Sequence, residues 1–158
     1  MPWIKKVSTP LLLVFICTLL ILSILFYHVS AVKVYDRKRR EDFVSRTEAL
    51  FTYDQCEWIS EVIIQQRIIS VKCSRPNAQD QILHMDESLQ LLGRMNADAV
   101  KYQNALDRFK QVAGIEQAEI SLTLYRNKSV YWVKTLTQEW LLDFHDYSIL
   151  WKVDKKYD

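Results

Sequence analysis

An α+β protein is expected, in which an N-terminal transmembrane helix precedes a small domain built from a long amphipathic helix packed on an antiparallel meander. Three observations predict it. Residues Leu11 to Tyr27, LLLVFICTLLILSILFY, carry no charge. Apolar residues between Met85 and Ala113 recur at helical spacing, and beyond Gly114 the period shortens to two. Only two glycines occur in 158 residues, which disfavours loop-rich architecture and leaves no material for glycine-built phosphate loops.

The chain divides into a short tail (1–9), a transmembrane signal anchor (10–32), a juxtamembrane stalk (33–52) and a soluble domain (53–158). The apolar run extends to Val32 if Ser30 and His28 are tolerated, and roughly 20 helical residues suffice to cross a bilayer. Pro10 falls where a first helical turn accepts proline, and Trp3, Phe26 and Tyr27 sit where interface anchors sit. Lys5, Lys6 and the Val29-Ser30-Ala31 triplet also read as a cleavable signal peptide, but the apolar core exceeds the usual 7–15 or so residues. An uncleaved anchor is the preferred reading.

Orientation draws on opposed signals. Lys33, Arg37, Lys38, Arg39 and Arg40 follow the span, which by the positive-inside rule favours a cytoplasmic domain. Cys56 and Cys73 favour an oxidising compartment. The expectation is an extracytoplasmic, periplasmic domain on a single-pass protein of the inner (plasma) membrane. The Asp36 to Asp42 run, DRKRRED, reads as solvated helix surface whose acids pair locally with its arginines.

Phe43, Thr47, Leu50 and Phe51 fall at helical spacing, so the stalk should stay helical to about Leu50 and stop near Tyr53-Asp54. Cys56 to Cys73 is rich in β-branched residues and is expected as strand, ended by Ser74-Arg75-Pro76-Asn77. Met85, Leu89, Leu92, Ala99, Tyr102, Leu106, Phe109 and Ala113 then predict a helix from Asp86, as N-cap, to Ala113, with Gly114 as C-cap and a length of about 42 Å. Ile120, Leu122 and Leu124 alternate with polar residues, Arg126 to Ser129 is a turn, and Val130 to Val133 returns as the second arm of a hairpin. Trp140 to His145 and Ile149 to Val153 complete the meander.

Little suggests catalysis. No two of the three histidines have the spacing that places imidazoles side by side on a helix. Asp143 and His145 would share a strand face, yet no nucleophile motif accompanies them. No catalytic, cofactor or metal site is expected, and the near-neutral charge of +2 asks for no nucleic acid. Cys56 and Cys73 bracket one apolar segment as a disulfide would, contributing about 3 kcal/mol, and two separate buried thiols are the alternative. Asn127-Lys128-Ser129 matches the glycosylation tripeptide. Aromatic residues exceed what one helix on a short meander covers, so Tyr102, Phe109, Tyr131, Trp132, Trp140 and Trp151 are candidate partner-interface residues.

A short basic tail, one span ending near Tyr27, a stalk, the Cys56 and Cys73 pair and a small outer domain make a layout that resembles the single-span periplasmic companions of ToxR-type membrane-bound transcription regulators, the ToxS, PsaF and MyfF kind. The resemblance implies a non-enzymatic accessory protein whose outer domain pairs with and stabilises a regulator's outer domain. The partners expected are then the lipid bilayer and a membrane protein. A structural subunit of an envelope secretion, pilus or division complex is the alternative, with self-association through the Leu89 to Phe109 stripe.

Overall fold

The computed structural model describes residues 9–155, with side-chain surroundings from residue 13 onward. Helix α1 spans Thr9–Phe51. From Leu13 it is long and apolar enough to cross a membrane. Local ion pairs bind the DRKRRED turn to itself, Arg39 and Arg40 to Asp36 at 3.2 and 2.6 Å and Arg37 to Glu41 at 3.4 Å. Such pairs add a few tenths of a kcal/mol each.

The described residues divide after Asp42 into two separate compact units. In the second, eight strands make two four-stranded antiparallel meanders. The first contains β1 (Gln55–Ile63), β2 (Arg67–Ser74), β3 (Gln81–Met85) and β4 (Leu91–Asn96), and the second β5 (Glu119–Tyr125), β6 (Lys128–Lys134), β7 (Gln138–Asp143) and β8 (Ile149–Asp154). A single 3-10 turn, Ala97–Ala99, and helix α2, Tyr102–Ala113, connect them.

The α+β class stands, with one correction. The helix expected from Asp86 to Ala113 is only its second half; the first half is a turn and β4. Asp86 caps that turn, its Oδ1 accepting from the Ser88 N–H (2.9 Å), the Ser88 hydroxyl (2.7 Å) and the Gln90 N–H (2.9 Å). Gly93 explains the rest. It lies opposite His84 on β3, and an added Cβ would meet Leu124 at 3.3 Å, the close approach that glycine permits within a strand.

Cys56 to Cys73 is likewise two strands instead of one. The β1–β2 hairpin turns at Ile64 to Gln66 without glycine or proline, and it places Cys56 directly opposite Cys73. A disulfide joins them, with Cα atoms 4.1 Å apart. The C-terminal meander forms as expected; Arg126 (φ 51°) and Asn127 (φ 62°) supply the two left-handed residues of a tight hairpin turn.

The end of α1 covers the outer face of the first sheet, where Phe43 packs edge-on to Trp58 at 5.6 Å beside Ile69, Val71, Leu83 and Met85. The Glu48 carboxylate accepts the Cys56 N–H at 2.6 Å, and Arg75 donates to the Phe51 and Thr52 carbonyls left open at the helix end. Ala105 and Phe109 of α2 close the core over Leu122, Tyr131, Val133, Trp140 and Leu142.

Gly114 ends α2 as the sequence indicates, at φ 67° with its N–H on the Lys110 carbonyl (2.9 Å). Gly114→Ala is expected to lower stability by about 1 kcal/mol, because an L side chain pays for the left-handed region. Urea titration of the full chain in micelles would show a reduced midpoint at unchanged slope; an unchanged midpoint would refute the cap's role.

Candidate functional site

The aromatic residues proposed for a partner divide into two groups. Phe109, Tyr131 and Trp140 are core, which corrects their assignment to an interface. Phe109 meets Trp140 edge-on at 5.4 Å, and Tyr131 stacks on Phe144 at 5.3 Å while its hydroxyl accepts the Lys101 N–H at 2.8 Å. Two sheets, where one was expected, are enough to cover these rings. Tyr102 stands edge-on to Tyr131 at 5.9 Å, and burial pushes its phenol up to about 12, with Tyr131 adding to the effect. Its hydroxyl is buried without a hydrogen-bond partner. Trp132 and Trp151 are half-buried, and the Lys134 amine lies 5.8 Å from the Trp132 ring.

The sheets meet through a polar seam that periodicity did not signal. Leu122 lies on β5, an edge strand of the second sheet, and its carbonyl accepts from Ser60 Oγ at 2.7 Å and from Ser70 Oγ at 3.1 Å. Ser70 Oγ also lies 2.8 Å from His84 Nδ1, and Ser129 Oγ lies 3.4 Å from His84 Nε2. Since the Ser70 proton goes to the carbonyl, Nδ1–H donates to Ser70 and Nε2 accepts from Ser129. Burial alone depresses the imidazole to about 4, so it is neutral at pH 7.

A serine at hydrogen-bond distance from a histidine invites comparison with a nucleophile and its base. Here both are fully buried, and the hydroxyl is committed to a backbone carbonyl. The pair joins two sheets and has no access to a substrate. Asp143 and His145 do not share a strand face as expected, because β7 ends at Asp143. The Asp143 carboxylate instead accepts the His145 and Asp146 N–H groups at 2.8 and 3.4 Å, closing the turn into β8.

No protein-family model, curated protein or solved structure matches the chain.

Two surfaces stand out among the described residues. One is an open cleft of about 620 Å³ between the end of α2 and the β6–β7 turn, lined by Leu106, Lys110, Glu116, Lys134, Leu136 and Lys155. Its charges are internally committed in part: Lys110 faces Glu116 at 3.8 Å, and Lys155 donates to the Thr135 carbonyl at 2.6 Å. The other is β8, which pairs with β7 and with no other described strand. Ile149, Leu150 and Val153 on it are 41, 47 and 39 % exposed, a run of apolar side chains at a sheet edge.

Proposed function

We propose that this is a non-enzymatic, single-span accessory protein of the inner membrane whose extracytoplasmic domain binds and stabilises or regulates another membrane protein, such as a membrane-bound transcription regulator. One combination carries the reading: a helix apolar enough to cross a bilayer stands in the same chain as a small β domain closed by a disulfide. Disulfides persist where thiols are not kept reduced, which supports a domain outside the cytoplasm. The basic residues after the span argue the other way by charge count. We weigh the disulfide above them because it reports on the redox compartment of the folded domain itself.

A fluorescent reporter active only in the cytoplasm, fused after Asp158, should stay dark, and a bright fusion would overturn the orientation. Affinity capture of the full chain from solubilised membranes should retain a second membrane protein in defined ratio. Recovery of the chain alone, or within a large envelope assembly, would overturn the accessory reading.

A further inference from the structure

The outer edge of β8 offers hydrogen-bonding groups in a fixed pattern. The Lys155 N–H donates to the Thr137 carbonyl at 2.7 Å, so Lys155 faces β7. By the alternation of antiparallel pairing, Val153 and Trp151, opposite Glu139 and Leu141, also face β7. The N–H and C=O groups of Lys152 and Asp154 therefore point away from the sheet. The β5 edge differs, since Ser60 and Ser70 cap its Leu122 carbonyl.

Charge restricts what can pair there. A lysine amid an edge strand disfavours most incoming strands, because the pairing would bury or crowd the ammonium. A strand presenting an acid directly opposite Lys152 escapes this penalty. β8 presents that acid itself, two residues on. If two β8 strands run antiparallel about Val153, Lys152 of each copy faces Asp154 of the other, and Val153 faces Val153. Lys152 and Asp154 are also the residues with outward backbone groups, so this register turns each such pair into a hydrogen-bonded one. Both side chains share one face and are already positioned by β7, with the Lys152 amine 4.5 Å from the Trp140 ring and Asp154 accepting from Gln138 Nε2 at 2.7 Å. The bulge at Leu150 limits the pairing to the segment beyond it.

We propose that β8 pairs antiparallel with β8 of a second copy, centred on Val153, so that two four-stranded meanders join into one continuous sheet. The contact is small. Tethering both copies to one membrane raises their effective concentration, which lets a short pairing count. The inference stands apart from the accessory reading, because self-pairing and capture of a different protein are measured separately.

Cysteine cross-linking of the full chain in native membranes, on a Cys17→Ser background, tests it. Val153→Cys should form a disulfide-linked dimer, since residues opposite each other in a non-hydrogen-bonded pair lie about 4.5 Å apart at Cα. Ile149→Cys, equally exposed, should not, because its two copies would be about 27 Å apart along the strands. Lys152→Asp and Asp154→Lys should each reduce Val153→Cys dimer about tenfold by placing like charges opposite one another, and combining the two should restore it. Restoration separates the register from simple damage to the strand. The proposal is overturned if Val153→Cys stays monomeric, links to another protein, or links no better than Ile149→Cys, and equally if the double exchange fails to restore the dimer.

Discussion

Replacing Cys56 and Cys73 together by alanine should lower the unfolding free energy of the full chain by about 3 kcal/mol, since their bond closes a short loop whose entropy is otherwise free in the unfolded chain. The cysteines lie 17 positions apart, directly opposite each other on β1 and β2. A domain of this size has about 5–15 kcal/mol of stability in all, so the loss is a large share. The hairpin is also a structural hub: its outer face takes the end of α1, and Cys56 is held by Glu48. Its inner face supplies Ser60 and Ser70 to the seam with β5. Urea titration with and without reductant should give two midpoints for the native chain and one for the variant. Coincident midpoints for oxidised and reduced native chain would remove the disulfide from the stability account. Alkylation of denatured, non-reduced chain from native membranes should label Cys17 alone; labelling at Cys56 and Cys73 would place the domain in a reducing compartment.

The sequence is legible where one periodicity governs a whole element. The apolar run, the helix through Phe51, the Gly114 cap and the C-terminal meander each carry a local signal, and each forms. It misleads between Met85 and Tyr102, where residues buried for different reasons fall by chance at spacings of three and four. Met85 is buried on β3, Leu89 in a turn with φ 67°, and Leu92 is half-buried on β4, and no common helix face joins them. The β1–β2 turn carries no local signal, because Ile64-Gln65-Gln66 contains no glycine, proline or asparagine.

Site features follow the same division. The disulfide is legible because the two cysteines bracket one segment. The seam is not, since Ser60 and Ser70 reach Leu122 across 62 and 52 positions of sequence, and a lone buried histidine has no local signature. Aromatic excess pointed to a partner surface only while a single meander was available to cover it. With a second sheet, Phe109, Tyr131 and Trp140 are internal, and exposed apolar residues are found instead on β8, whose alternating Trp151-Lys152-Val153-Asp154 reads in sequence as an ordinary strand.

Acid should weaken the domain through His84. Its imidazole titrates near 4 in the folded chain against 6.5 when free, because burial penalises the charged ring. Above pH 6.5 the ring is neutral in both states and adds no pH dependence. As pH falls from 6.5 towards 4, the unfolded chain binds a proton that the folded chain refuses. Stability then drops by about 1.4 kcal/mol per pH unit, reaching a loss of about 3 kcal/mol near pH 4. Asp86 and Asp146 act lower on the scale. Hydrogen bonds from Ser88 and Ser148 hold them below the ordinary 3.8, so their stabilisation is present above 3.8 and is lost as pH falls through their lowered values. The two windows separate by mutation. His84→Gln should show lower stability at pH 7.5, where an imperfect replacement meets Ser70 and Ser129, but a nearly flat dependence between pH 6.5 and 4, with the loss below 4 intact. Urea titrations of native chain and variant at half-unit pH steps give the difference in slope. A native chain equally stable at pH 7 and pH 4.5 would show that His84 takes up no proton on unfolding in this range, and a variant with the native slope would place the proton uptake at a group other than His84.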